Sequence, residues 1–441
     1  MIRVALAMLL SAAAVVPAAA ETLQLRAGHL IDPGSTTVTH DRLLTFVDGK
    51  IVRDEAWAGA KREGGLIDWS GKWVLPGLID LHTHIADGIG QTNDPAEPLK
   101  HSEADTILKG AEMARITLHA GFTTVRDVGV YRGLTDVALR DAIAAGEVEG
   151  PRMFVSGGYV TLPGGGGAVT GAPAGTVIGP EFRIGEASTP DEARARVRAI
   201  IGGGADFIKL IATGAVLAIG SEPGALELTP EMIQAACDEA RKLGKYCIAH
   251  AHGAEGIKAA IRAGARTIEH ASLPDDEALA LALAKEHGTW LDMDIFNGDW
   301  IDEIGTRDGW PAEYLRKNRE TTDTQRAGFA KAVKFGVPIT YGTDAGVYPH
   351  GLNARQLRYM VRFGMTPMQA LASATSEAAK ALGQAELGSV KPGHVADLVA
   401  VGSNPLEDVS VLQCVDGVVQ GGRLVHRDDA AERCDRWKPK Q

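Results

Sequence analysis

The chain has 441 residues, 45% of them hydrophobic and 23% charged, with a formal net charge of −11 at pH 7. This balance describes a globular protein rather than a disordered one, and it argues against gripping nucleic acid or anionic lipid through surface charge. The length accommodates a barrel of about 250 residues with a companion domain.

In chain order, Met1-Ile2-Arg3 precedes an apolar run from Val4 to Val16 and then Ala18-Ala19-Ala20. A basic start, an apolar centre and a small-residue end predict a secretory signal over residues 1–20, with the mature chain beginning at Glu21. The run is shorter than the about 20 apolar residues of a membrane helix, so no span is expected after processing. Loss of Arg3 takes the formal charge from −11 to −12. A periplasmic or secreted location follows, where disulfides persist. Cys414 and Cys434, in a turn-rich tail, are the expected pair, whereas Cys237 on a helical pattern and Cys247 in an apolar strand read as core thiols.

Residues 21–74 show short alternating stretches broken by Asp32-Pro33-Gly34 and Asp48-Gly49-Lys50, the marks of hairpins. Similar marks return in 384–441, with Lys391-Pro392-Gly393, the run Leu398–Val401 and Asp416-Gly417. The two ends are therefore expected to meet in one small β-sandwich. Between them, 75–383 alternates short apolar runs with amphipathic windows, which predicts an α/β fold, a TIM-like (β/α)8 barrel with a parallel sheet. Eight candidate strands end near His84, Asp127, Ser156, Lys209, His250, His270, Asp294 and Asp344. Predicted helices include Pro190–Ile201, Pro230–Leu243, Thr322–Phe335 and Pro367–Leu382, and the glycine excess falls in the intervening turns and loops.

The apolar strand Val74–Leu81 leads into His82-Thr83-His84. Side chains at i and i+2 of a strand share a face, so both imidazoles can address one metal at the barrel mouth. Lys209 stands inside Phe207-Ile208-Lys209-Leu210-Ile211, where a parallel barrel strand should be apolar. Burial favours its neutral amine, which can react with carbon dioxide to give a carbamate that bridges two cations. The strand ends Ile248-Ala249-His250, Ile268-Glu269-His270 and Gly342-Thr343-Asp344 add three donors. Six donors gathered at the barrel end where active sites sit imply metal chemistry. Of His250 and His252, His250 lies closer to the strand proper and is assigned to metal, leaving His252 for substrate.

These motifs resemble the amidohydrolase superfamily. Leu75–His84, Gly121–Gly129, Lys209, His250-Ala251-His252-Gly253, Ile268-Glu269-His270 and Tyr341–Gly346 occur in the family's order. Met365-Thr366-Pro367 through Thr375, with Ala396-Asp397-Leu398, looks like the imidazolonepropionase-related branch that includes Xaa-Pro and Xaa-Arg/Lys dipeptidases and ochratoxin-type amidases. The resemblance implies that His82, His84, His250, His270 and Asp344 bind two divalent ions of the zinc type, with Lys209 as the carboxylated bridge. Some relatives carry Gly-Gly-His-Gly after the third strand, where this chain has Leu162-Pro163-Gly164-Gly165-Gly166-Gly167.

The expected reaction is hydrolysis of an amide bond in a small dipeptide or N-acyl amino acid by a metal-bridging hydroxide, with Asp344 carrying the proton to the leaving nitrogen. Tyr159 either polarises the carbonyl or packs within its strand. Arg355 either receives a substrate carboxylate or is a surface charge. Arg126-Asp127 reads as a structural pair, Trp290, Trp300 and Trp310 as an aromatic flank or as core, and Met360 and Met365 as packing residues. A phosphotriesterase or lactonase could use the same bridged pair of ions. A mononuclear deaminase or cyclic-amide hydrolase has no role for Lys209, and a non-catalytic relative would not keep all six donors. A homo-oligomer is compatible with the sequence.

Overall fold

The structure, a computed structural model, describes residues 22–87, 94–284 and 286–427. The expected signal over residues 1–20 and the proposed partner Cys434 lie outside them.

Four amino-terminal strands, Thr22–Asp32, Thr37–Val47, Lys50–Ala56 and Gly65–Pro76, open the chain. Asp48 and Gly49 take φ of 49° and 75°, the two positive values a tight hairpin turn requires, and Val47 pairs with Lys50. From the other end come Leu398–Val401, Gly417–Gln420 and Arg423–Arg427. Leu398–Val401 pairs antiparallel with Gly65–Pro76, and all seven strands form a single sheet. Leu25, Leu44, Phe46, Val74, Leu398 and Val419 make its buried core.

Beyond Gly77 the chain continues into Leu78–Thr83, the first of eight parallel barrel strands. The others are Phe122–Asp127, Arg152–Val155, Ile208–Ile211, Cys247–Gly253, Thr267–Leu273, Trp290–Asp292 and Ile339–Thr340. A two-residue strand, Tyr159–Val160, pairs with Ile208–Ile211, and Asp206 N donates to Val155 O at 2.8 Å, joining the third and fourth strands. The ring closes where Leu81 N donates to Tyr341 O at 2.8 Å and Thr83 bridges Ala345. Helices cover the outside, and burial on both faces explains the near-continuous apolar strand runs.

Proline at the first turn and a capping threonine start the helices Pro190–Gly202 and Pro230–Lys242, where Thr189 and Thr229 accept from Glu192 N and Met232 N. Two helices depart from expectation. The one expected from Thr322 begins at Ala312 and runs to Phe335. Its first turns carry Lys317, Asn318 and Thr321, which face a cavity and a loop instead of the sheet, so no apolar stripe announces them. The one expected over Pro367–Leu382 is split into Pro367–Ser373 and Ser376–Leu382, because Thr375 leaves the helical region at φ −139°, ψ −95°.

The reading of Cys237 and Cys247 as separate core thiols is corrected: they are bonded to each other, with Cα atoms 5.3 Å apart. Both are buried, one on the inner face of Pro230–Lys242 and one at the start of the strand that follows it. That shared burial is what made each resemble a small hydrophobe. No helix among the described residues is long and apolar enough to cross a membrane.

Candidate metal centre and active site

Two groups of donors meet at the carboxyl ends of the barrel strands. His82, on the first strand, and His84, just beyond it, point their Nε2 atoms at Asp344 Oδ1, at 3.3 and 3.1 Å. Ligand atoms of His250, His252 and His270 lie within 4.8 Å of one another, and so do those of His270, Asp294 and Asp344. Lys209 reaches both groups: its charge acts on His82 of the first and on His250 and His252 of the second.

Each ring is oriented by its other nitrogen, the arrangement typical of metal-binding histidines. His84 Nδ1 lies 2.9 Å from Gly129 O and His250 Nε2 lies 3.2 Å from Gly214 O. A carbonyl only accepts, so these nitrogens carry protons, which leaves His250 Nδ1 with a lone pair and His84 Nε2 facing Asp344. His270 Nδ1 is 2.9 Å from Asp294 Oδ1, and His252 Nδ1 is 2.7 Å from Ser272 Oγ. Glu269 Oε2 lies 3.1 Å from His82 Nδ1, an ion-pair separation without hydrogen-bond alignment.

The electrostatics favour cations. Burial and the Lys209 charge pull His82 down, yet Asp344 and Glu269 carry it up to about 10. Burial pushes Asp344 up, but His82 and His84 hold it well below the usual carboxylate range. Burial, with the neighbouring His270, holds His250 and His252 well below the usual imidazole range, leaving them neutral and able to donate lone pairs. Lys209 is 2% exposed, and its Nζ has no hydrogen-bond partner among the described residues. The clustered imidazoles and carboxylates fit a divalent metal site, with the unpartnered buried amine of Lys209 lining the same cavity.

Backbone strain marks the same place. His270, Ala271 and Asp344 take φ of 67°, 43° and 57°. Such left-handed positions cost about 1–3 kcal/mol each outside glycine and collect at functional sites.

The donors line a cavity of about 230 Å³. Tyr159 and His252 also line it, so both of these expected substrate contacts face the site. Tyr159 Oη is 3.1 Å from His84 Nδ1. Because the Nδ1 proton is shared with Gly129 O, the hydroxyl oxygen accepts and its own proton is free to turn to the cavity. Arg355 is not among the residues that line the cavity. It begins the helix Arg355–Arg362, where burial lowers its pKa.

Arg126 and Asp127 do not pair with each other, since neighbours on a strand point to opposite faces. Arg126, fully buried, reaches Glu269 at 3.1 Å and Asp292 at 3.4 Å, and Asp127 accepts from Ile85 N and Ala86 N. Of the tryptophans, Trp310 lines the cavity, Trp300 packs against Tyr348, and Trp290 joins the core beneath the last helices. Met360 and Met365 pack in the core.

Residue reasoning missed the anchoring groups Glu269, Asp294, Asn297 and Gln325. Asn297 Nδ2 donates to Asp294 Oδ2 at 2.7 Å and to Asp344 Oδ2 at 3.0 Å, and Gln325 Nε2 donates to Asp294 Oδ1 at 3.2 Å. Glu269 and Asp294 carried a signal, as carboxylates at strand ends. Asn297 and Gln325 carried none.

Residues 73–425 match the amidohydrolase family. Ochratoxinase of Aspergillus niger is 32% identical over 380 residues, covering 80% of this chain and 75% of its own. Imidazolonepropionase of Pseudomonas syringae pv. tomato is 28% identical over 401 residues, covering 82% and 90%. The crystal structure of a Xaa-Pro dipeptidase with bound methionine in the active site superposes with a TM-score of 0.86 at 36% identity, covering 92% of this chain and 100% of that one. A prolidase complexed with N-methylphosphonate-L-proline gives 0.84 at 28% identity, covering 92% and 100%. With the family match spanning most of the chain and the donors gathered at the barrel mouth, the protein belongs to the amidohydrolase family and is a metal-dependent amidohydrolase acting on carbon–nitrogen bonds.

Proposed function

We propose that the chain is an exported enzyme that hydrolyses the amide bond of dipeptides or N-acyl amino acids with two divalent ions, held by His82, His84, His250, His270, Asp344 and a carbamate on Lys209. The observation that carries this reading is Lys209, a buried amine without a hydrogen-bond partner set between two groups of donors. Burial lowers it to about 8, against the opposing pull of Glu269 and Asp344. Its neutral form attacks carbon dioxide, forms a nitrogen–carbon bond and releases one proton, which leaves a carboxylate.

When bound, the ions lower the pKa of water towards neutrality and polarise the scissile carbonyl. Asp344 accepts the proton of the attacking water and returns it to the leaving nitrogen, which departs poorly unless protonated. Asn297, donating to Asp344 Oδ2, orients that carboxylate. Tyr159, its oxygen accepting from His84, turns its own proton to the developing oxyanion. His252, held by Ser272, offers a further contact to substrate.

The dipeptidase with bound methionine and the prolidase with a proline phosphonate support an amino-acid amide as substrate. The Cys237–Cys247 disulfide supports export, since such bonds persist in oxidising compartments. The test is a panel of dipeptides, N-acyl amino acids, paraoxon-type esters and lactones, with metal counted in the same preparation. Amide cleavage at two ions per chain is expected. A higher kcat/KM for esters or lactones, or one ion per chain, overturns the reading.

A further inference from the structure

The active-site cavity has two unlike sides. One carries the metal donors, and the other is apolar, built from Val216, Leu217, Ile301, Trp310, Tyr314 and Val347. Ile301, Trp310 and Tyr314 form a buried cluster against which Leu217, Ile219 and Val347 pack. Part of this wall is unusual in its support. Val216 and Leu217 belong to residues 212–229, which join a barrel strand to the next helix with no regular structure beyond one bridge between Thr213 and Leu226. Irregular segments of this kind ordinarily move more than the elements they connect.

Ser221, Thr170 and Arg316 fasten parts of this segment, and a buried ammonium gathers its carbonyls around the wall. Lys317, on the helix Ala312–Phe335, has a fully buried side chain. Its Nζ meets the carbonyl oxygens of Ala215 at 3.1 Å, of Ser221 at 2.8 Å and of Ala218, together with Glu313 Oε1 at 3.1 Å. Glu313, one turn earlier, also accepts from Gly220 N at 2.9 Å. Carbonyls on both sides of Val216 and Leu217 are thereby tied to one turn of the helix that also presents Tyr314, Asn318 and Thr321 to the cavity. Hydrogen bonds from a charged donor are roughly twice as strong as neutral ones, and a buried ammonium stripped of these oxygens would be costly. Lys317 itself does not line the cavity, so it acts through the wall that it holds.

We propose that Lys317 is a positioning residue that fixes the apolar wall at Val216 and Leu217, and thereby sets a preference for substrates with a bulky apolar group beside the scissile bond. The proposal rests on the amide-hydrolase reading above. Lys317→Met removes the charge and keeps the bulk. Glu313→Ala loosens the same segment from a more exposed position and leaves Lys317 with its three carbonyls. Each variant is compared with wild type on two amides that share a scissile bond, one with a phenylalanine-sized flanking group and one with an alanine-sized group.

KM for the bulky substrate is expected to rise about tenfold in Lys317→Met and less in Glu313→Ala, because a hydrophobic pocket loses about that much discrimination when its fit degrades by a group or two. kcat on the small substrate stays within about twofold. Hydrogen exchange of residues 212–229 speeds up in both variants while the barrel strands remain protected. Equal losses on both substrates, or unchanged exchange in this segment, overturn the proposal. Should Lys317→Met fail to fold, an unchanged selectivity ratio in Glu313→Ala overturns it as well. A wild type that cleaves no amide sinks the functional reading and this proposal together. Amide cleavage with an unaltered ratio sinks this proposal alone.

Discussion

Tyr159 and Lys209 are direct partners across the parallel pair formed by Tyr159–Val160 and Ile208–Ile211. Main-chain register thus sets the phenol and the amine side by side at the cavity. Gly129 makes room for the phenol, because a Cβ there would lie 2.0 Å from Tyr159 Cε1.

This pairing makes the hydroxyl testable by itself. Tyr159→Phe keeps the ring and removes one donor to the oxyanion, so kcat is expected to fall about 100-fold with little change in thermal stability. Steady-state kinetics and a melting scan check it, and an unchanged kcat/KM removes Tyr159 from the mechanism. Gly129→Ala should reproduce the loss in kcat by displacing the ring, with an added loss of stability.

Lys209→Ala removes the amine proposed to carry the bridging carboxylate. Activity is expected to drop at least about 100-fold, and elemental analysis should show fewer than two ions per chain. Short carboxylic acids such as acetate should restore part of both by entering the space the side chain vacated. In wild type grown with 13C-bicarbonate, a carbamate carbon resonance should be present that is missing from the variant.

The lowered pKa of Lys209 gives a signed pH dependence to assembly of the site. At a folded value of about 8 the amine of the metal-free protein is increasingly neutral as pH rises through that value. An ordinary lysine, with pKa about 10.4, would still be almost wholly charged there. At fixed dissolved carbon dioxide and without metal, the fraction of Lys209 carrying the 13C label should therefore rise with pH and level off above about 8. A labelled fraction that continues to climb towards pH 10 would mean that Lys209 titrates normally.

Removal of metal should also cost stability. Positive φ at His270 and Asp344, and carboxylates left facing one another, are compensated when cations bind the folded state alone. Binding at about 100 times Kd contributes about 2.7 kcal/mol, so chelation is expected to lower Tm by roughly 3 °C, with recovery on adding zinc.

The Cys237–Cys247 bond closes a short segment between helix and strand. Cys237→Ala with Cys247→Ala should destabilise the fold by about 2 kcal/mol, read by denaturant unfolding, while kcat stays near that of wild type.

Much of the site was legible because strand geometry is simple. His82 and His84 announce themselves by i, i+2 spacing after an apolar run, and Lys209 by being ionisable where a barrel strand should be apolar. What was not legible depends on facing surfaces. Arg126 and Asp127 looked like a pair because they are adjacent, yet the pleat sends them to opposite sides. Arg355 follows the His350–Asn353 segment closely, yet it is not among the residues that line the cavity. Lys317 lay outside the helix expected from Thr322, and its partners are carbonyl oxygens, which no residue pattern encodes. Cys237 and Cys247 hid their bond because two half-cystines in a core are as apolar as two thiols.

The pairing of Leu398–Val401 with Gly65–Pro76 has a bearing on biosynthesis. A polypeptide leaving the ribosome carries the Gly65–Pro76 strand with one edge bare until almost the whole chain has been made. Contacts between such distant segments form slowly, so the native state stays out of reach while elongation continues.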